Sequence, residues 1–397
     1  MELRDSTRIA SRDCRAVIGR SDRALVGGTG RSPKVRLRAL LLAALSGTSV
    51  LVGPGAVASG APTSNTASLA GYSVGIERCT FVDTSRSTPN FDTRPPSVLS
   101  KTRTLVTEIR YPTHLGAAGV AQTPGAVPVA RSGGFPMIVF AHGYDVTPDT
   151  YAPLLDAWVK AGFVVAAPFF PDEDRSGVAA QHSVNTEDDL WNEPADLTFV
   201  TRQILDDSSA ASAGCPIVHG LIRSSELALA GHSDGATVVA MLSYAHGKDP
   251  YRRTYQQLRA GLDFRATIVL SGQVDGVDPY GPLSPDPSLL LVQSVADQCN
   301  LFHNGVQLYR AIHQNNKWFL ELRTAHHLPP FDGADVAAFD VVTHASIRFL
   351  QIALEGARPQ SGLVDYGDVN PPVALMFHAG SGPAIVAPTE SASCGPD

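Results

Sequence analysis

The chain has 397 residues, 44% of them hydrophobic and 17% charged, a composition that can bury a large core and excludes a wholly disordered protein. Its formal charge is −7, and without the first 58 residues it would be −13, from 21 basic and 34 acidic side chains. Such an acidic surface excludes nucleic acid as a partner, because phosphate binding needs clustered cations.

Residues 1–33 are rich in Arg, Ser and Asp with no apolar periodicity, and they read as a leader or as a start set too far upstream. From 34 to 58 the layout is that of a secretory signal: basic residues at Lys34, Arg36 and Arg38, an apolar run from Ala39 to Val52, then Ala56-Val57-Ala58. The apolar run is too short to span a membrane, and no Cys near the cleavage site offers a lipid anchor. A secreted protein with no stable membrane anchor is therefore expected. Residues 59–71 read as a linker, 72–356 as the folded domain, and 357–397 as a Pro/Gly/Ser-rich tail. Cys79, Cys215, Cys299 and Cys394 would survive cleavage, an even number that suggests two disulfides in any of three pairings.

Within the domain, β-rich runs alternate with helical patterns, which predicts crossover units and a mainly parallel sheet. Tyr72–Val82 and Thr102–Tyr111 are joined without a helix, as in an antiparallel pair at a sheet edge. Pro136–Ala141 (PMIVFA) is apolar throughout and suits a strand covered on both faces. A helix over Thr150–Ala161 and a strand over Phe163–Ala167 follow, then a long polar loop, Pro168–Pro194, carrying Phe169, Phe170 and Trp191. Further on, helices are predicted at Ala195–Asp206, Gly235–Ala245, Asn304–Ile312 and Val341–Leu354. Strands are predicted at Glu226–Ala230, Ala266–Ser271, Leu289–Val295 and Trp318–Leu322.

The strongest chemical signal is Gly231-His232-Ser233-Asp234-Gly235, between the apolar strand ELALA and a helix pattern. A sharp strand-to-helix turn holds its central serine above the strand ends, and glycines on either side relieve the crowding. Serine is nearly inert at neutral pH, so such a nucleophile needs a base and a carboxylate to hold that base. In chain order the carboxylate comes next, and Asp297 stands at the end of the strand LLLVQSVA, with Asp275 and Asp278 as alternatives after the previous strand. For the base, His326 and His327 both follow the strand KWFLELR, whereas His344 lies inside a helix pattern. Backbone N–H groups of Asp234, just past the serine, and of Tyr144, in the loop after PMIVFA, are placed to hold the negative oxygen of an attacked carbonyl. Tyr144, His232 and Trp191 are expected to line the substrate site. No Cys/His spacing suits zinc, so neither a metal nor an organic cofactor is expected.

Several segments, GGFP leading into AHGY, then GFVVAAP, EPADLTFV, GHSDGA, VADQCN and TAHHLPP, together resemble the α/β-hydrolases related to platelet-activating-factor acetylhydrolases, chlorophyllases and bacterial polyester hydrolases. The likeness runs from about Tyr72 to Leu354, and FVDTSRS and RTLVTEIRYP fit that group's opening. It implies a doubly wound α/β-hydrolase sheet of about eight strands without a large cap domain. It also selects His327 over His326 as base, since the catalytic histidine of that group commonly follows a pair of small residues, and it matches Tyr144 to an oxyanion donor. Two departures stand out. Position 234 is Asp where many members carry Met, Leu or Gln, and SGQVDGVDPYG lacks the tryptophan that polyester hydrolases place near aromatic substrates.

The expectation is thus a secreted, monomeric serine esterase, lipase-like in the broad sense, that acts on small-molecule or lipid esters of short to medium acyl length. An acyltransferase or thioesterase with the same triad, and a catalytically inactive exported binding protein, are the other readings.

Overall fold

The computed structural model describes residues 71–114, 122–183, 186–210, 214–276, 278–281, 286–357, 372–380, 382–384 and 392–394. The leader, the signal sequence and all but the last residue of the linker expected over 1–71 lie outside them.

β1 (Ser73–Asp83) and β4 (Arg103–Thr113) pair antiparallel over their full length, from Ser73 opposite Thr113 to Asp83 opposite Arg103. Between them a two-stranded ribbon, β2 (Thr88–Asn90) and β3 (Ser97–Ser100), stands outside the main sheet. β5 (Gln122–Pro124) adds to the free edge of β1. β6 (Phe135–Ala141), β7 (Val164–Pro168), β8 (Ile222–His232), β9 (Phe264–Leu270), β10 (Ser288–Ser294) and β11 (Lys317–Leu322) form the parallel centre. β12 (Ala374–His378) closes the far edge antiparallel to β11. The order across the sheet is β12-β11-β10-β9-β8-β6-β7-β4-β1-β5.

Ten strands replace the eight or so expected, and the surplus sits at the margins. β5 has three residues and no apolar run to announce it, and β12 hides in a segment whose Pro, Gly and Ser content reads as a tail. The fold therefore continues past residue 356, which corrects the expected boundary.

Helices cover both faces, which is why the central strands read as unbroken apolar runs. On one face Met137, Val139 and Ala141 of β6 pack with Leu197 and Val200 of α3 (Glu193–Ser209) and with Val238 and Met241 of α4 (Asp234–Tyr244). On the other, Ile138 and Phe140 pack with Leu154 and Trp158 of α1 (Ala152–Lys160) and with Val341 and Phe349 of α8 (Val336–Glu355). Each of the larger side chains among these, taken wholly out of water, contributes about 1.5–3 kcal/mol. The loop expected over Pro168–Pro194 contains α2 (Arg175–Gln181), which escapes an apolar-periodicity test because its start depends on a cap: the Asp174 carboxylate accepts the N–H groups of Ser176 and Gly177. α5 (Tyr255–Arg259), α6 (Phe302–Ala311) and α7 (Pro329–Asp332) complete the helices, and α5 begins on a Thr254/Gln257 capping box.

Two disulfides resolve the pairing left open by the sequence. Cys79 of β1 joins Cys215, and Cys299, in the loop after β10, joins Cys394. They close spans of 136 and 95 residues, for which loop-closure entropy alone gives about 4–5 kcal/mol each.

Candidate active site

The chain passes from β6 through α1 to β7 on one side, then through α3 to β8 on the other, so the topology reverses at β6. Open α/β sheets leave a crevice at the carboxyl ends of the strands where this happens. The loop after β6 and the turn after β8 both open there.

That turn is strained at one residue. β8 ends at His232 and α4 begins at Asp234, so Ser233 alone makes the reversal, with φ 56° and ψ −119°. A non-glycine residue held there costs about 1–3 kcal/mol. Two glycines make room for it: a Cβ at Gly231 would sit 2.3 Å from the Gly235 carbonyl oxygen, and one at Gly235 would sit 2.3 Å from that of Ala141. The Ser233 N–H is tied to the Leu270 carbonyl of β9 at 3.0 Å.

His327 Nε2 lies 3.0 Å from Ser233 Oγ, and its Nδ1 lies 2.9 Å and 3.1 Å from the two carboxylate oxygens of Asp297. The carboxylate of Asp297 is buried and has three further donors. Oδ1 accepts the N–H groups of Cys299 and Asn300, both at 2.9 Å, and Oδ2 accepts the Gln293 amide at 3.0 Å. The loop that carries His327 is held beside β10 by Ser294, whose hydroxyl donates to the Ala325 carbonyl. His326 is exposed and His344 bonds Asp340 within α8. Asp275 accepts from the Asp278 N–H and the Tyr280 hydroxyl, so neither alternative carboxylate is the one at His327.

The loop after β6 packs directly on the serine: a Cβ at Gly143 would lie 3.0 Å from that of Ser233. Its middle peptide is held by His142. The Phe170 N–H donates to His142 Nε2 at 3.1 Å, so Nδ1 carries the proton and donates to the Gly143 carbonyl at 2.8 Å. Burial keeps that imidazole neutral, with its pKa pushed down to about 4. A trans peptide points its N–H opposite to its C=O, so fixing the Gly143 carbonyl also fixes the direction of the Tyr144 N–H. Among the described residues that N–H has no protein acceptor. The Asp234 N–H, in the first turn of α4, has no intrahelical partner either.

The expected substrate-lining residues fare differently. Tyr144 is half-buried and its hydroxyl meets Thr186 Oγ1 at 2.9 Å. His232 does not line the opening, which corrects that expectation: the residue is 2% exposed and both ring nitrogens have protein partners, because side chains alternate along a strand and this one points into the sheet's covered face. Trp191 is half-buried and packs against the core on the α3 side.

Sequence reasoning missed Tyr151, Gln293 and Ser294, and it missed an acidic layer under the loop after β7. A polar pair closing the apolar strand SLLLVQS was the available sign for Gln293 and Ser294. In the acidic layer the wholly buried Arg103 holds Asp189 at 2.5 Å and Asp196 at 2.7 Å, and Arg86 bridges Asp83 and Asp196 at 2.6 Å each. Glu173 and Glu193 are also wholly buried, and among the described residues neither carboxyl meets a donor from any third residue. Burial drives both well above the usual carboxylate value; the charge of Glu193 adds to it at Glu173, and the charge of Asp189 adds to it at Glu193, where the contact with Glu173 opposes the rise. Burial pushes Asp234, beside Ser233, up to about 6 against the opposing pull of His327.

No family model matches the chain, and no curated protein does. Among solved structures, a ferulic acid esterase from Streptomyces cinnamoneus is similar, at TM-score 0.53 and 16% identity over 77% of this chain and 96% of that one. At that identity the likeness speaks for the architecture: this chain shares the mixed, mostly parallel α/β fold of that esterase.

Proposed function

We propose that this chain is a secreted serine carboxylic-ester hydrolase, acting on small-molecule or lipid esters of short to medium acyl length. The observation that carries the proposal is the single imidazole of His327 within hydrogen-bond reach of both Ser233 Oγ and Asp297. In this mechanism Ser233 Oγ attacks the ester carbonyl while His327 Nε2 takes its proton, and Asp297 steadies the imidazolium through Nδ1. The N–H groups of Tyr144 and Asp234 receive the oxyanion, each contributing about 3–4 kcal/mol. His327 returns the proton to the departing alcohol, and water, activated by the same imidazole, then releases the acid from the acyl-enzyme. An esterase neighbour among solved structures fits this reading at the level of fold, and two disulfides fit an oxidising compartment.

A panel of p-nitrophenyl esters from acetate to palmitate, run on the wild type and on Ser233→Ala, tests it. Turnover should be greatest on short to medium chains and fall by at least about 10,000-fold in the variant. A maximum at palmitate overturns the chain-length part, and equal activity of the two proteins overturns the rest.

A further inference from the structure

Behind the site, hydrogen bonds run from the oxyanion loop to the histidine loop without passing through Ser233. The Gly143 N–H donates to the Tyr151 hydroxyl oxygen at 3.2 Å. That hydroxyl lies 2.8 Å from His232 Nδ1, and His232 Nε2 lies 3.1 Å from the His327 carbonyl oxygen. A carbonyl can only accept, so His232 Nε2 carries a proton. Burial, and then the charge His327 can carry, holds His232 in its neutral form, so Nδ1 is an acceptor and the Tyr151 O–H donates to it. Every polar atom in this relay thus has one defined role.

Packing fixes the same parts. The His232 ring is enclosed by Tyr151, His327 and Phe331, with centroids at 5.4, 4.6 and 4.9 Å, and Tyr151 in turn meets Phe140 edge-on at 4.9 Å. Tyr151 is fully buried, and it precedes α1, an element that supplies no group to the reaction. A tyrosine hydroxyl placed there for core packing alone would not need to join the backbone of one reactive loop to an imidazole bonded to the other.

The geometry points to Tyr151 and His232 as positioning residues for the esterase reaction: their relay sets the oxyanion peptide and the His327 imidazole in one fixed relation, so that both meet the same tetrahedral carbon. This inference rests on the serine-esterase reading above. It goes beyond that reading because neither residue touches substrate or a reacting atom. Both acylation and deacylation use the imidazole and the oxyanion donors, so loosening the relay slows the two steps together and leaves ground-state binding alone. Losses of about 10- to 100-fold are typical when a supporting hydrogen bond of this kind is removed.

The test is pre-steady-state and steady-state hydrolysis of p-nitrophenyl butyrate by the wild type, Tyr151→Phe, His232→Gln and His232→Phe, with folding checked by thermal melts. Tyr151→Phe removes one oxygen and keeps the ring. It should lower acylation and deacylation by a similar factor, about tenfold or more, with KM changed less than twofold. His232→Gln keeps an N–H within reach of the His327 carbonyl and should retain more kcat than His232→Phe, which keeps neither end. If Tyr151→Phe folds and its kcat stays within twofold of wild type, or if only KM rises, the relay is overturned; the same holds if Gln and Phe at 232 are equally impaired. Should His232→Phe not fold, Tyr151→Phe alone decides. A wild type that neither turns over the ester nor is labelled at Ser233 by a fluorophosphonate overturns the esterase reading itself. An active, labelled wild type matched by an equally active Tyr151→Phe overturns only the relay.

Discussion

Asp297 and the Glu173–Glu193 pair are carboxyl groups buried close to the same rim of the sheet, yet their surroundings are opposite. Around Asp297 the chain has gathered two backbone N–H groups, the Gln293 amide and the His327 imidazole, so a negative charge there is spread over four donors. Around Glu173 and Glu193 there is burial and like charge, and the nearby cations, Arg86 and Arg103, serve Asp83, Asp189 and Asp196 instead. The difference teaches that burial alone does not decide what an acid does. A carboxyl ringed by donors has its oxygens matched by hydrogen bonds, whereas burial beside like charge without such donors favours the neutral acid.

Three substitutions press on this contrast. The most damaging should be Asp297→Asn, which keeps the shape and the two backbone N–H bonds to Oδ1 but turns the acceptor shared by His327 and the Gln293 amide into a donor. The imidazole then holds the wrong tautomer, and kcat should fall by about 10,000-fold, far more than the loss of about 1–3 kcal/mol in stability from the unpaired Gln293 donor explains. A loss below about tenfold in steady-state assays would mean that the carboxylate is not acting as the acid of a triad.

The second concerns stability against pH. An acid whose value is raised on folding binds protons in the native state that the unfolded chain has already released, so its stabilising share is complete below the unfolded value and is lost as pH rises through the folded one. Burial, then the charge of Asp189, pushes Asp172 up to about 8 against the opposing pull of Arg103, and Asp234 rises to about 6, with Glu173 and Glu193 raised as well. Below about pH 7 the buried, neutral His142 and His232 offset these acids, because the unfolded chain would protonate both imidazoles; above it stability should decline, with a melting temperature roughly 3 °C lower at pH 8.5 than at pH 7, equivalent to about 2 kcal/mol. Glu193→Gln removes one ionisation and should flatten the decline. Differential scanning fluorimetry across pH measures both, and a melting temperature that climbs toward pH 8.5 would contradict the account.

The smallest effect belongs to Asp234→Asn. Burial pushes this side chain, beside Ser233, up to about 6, so the substitution should erase an inflection near pH 6 from the kcat/KM profile. At pH 8 the rate should change by less than about threefold, since the backbone N–H at 234 remains. An unaltered acid limb would show that the Asp234 charge is not felt at the reacting atoms.

What could be read from the sequence, and what could not, follows the distance over which each feature is encoded. Ser233 sits in five contiguous residues that spell strand, turn and helix, and Asp297 follows an apolar run at the end of a strand, so local pattern nominated both; it left the base open between His326 and His327, and the family resemblance alone selected His327. The central parallel strands were legible for the same reason. Tyr151 meets His232 across 81 positions and Arg103 meets Asp196 across 93, and no local periodicity records such meetings. Tyr151 reads simply as an aromatic at the start of a helix, and Glu193 as the end of a polar loop. His232 was misjudged because proximity to the nucleophile in the chain does not say which way an alternating strand directs the side chain.

The covalent link between Cys299 and Cys394 ties the loop beside Asp297 to residues near the very end of the chain, and the Ser393 N–H also donates to the Gln298 carbonyl at 2.8 Å. A version of the protein shortened to end at Gly356 would lose β12 along with this tie. It would leave a lone thiol at Cys299 and the bare hydrogen-bonding edge of β11, where Trp318 to Leu322 had been paired. An open strand edge recruits other chains and an unpaired thiol can cross-link them, so the trimmed protein would be prone to self-association rather than simply smaller.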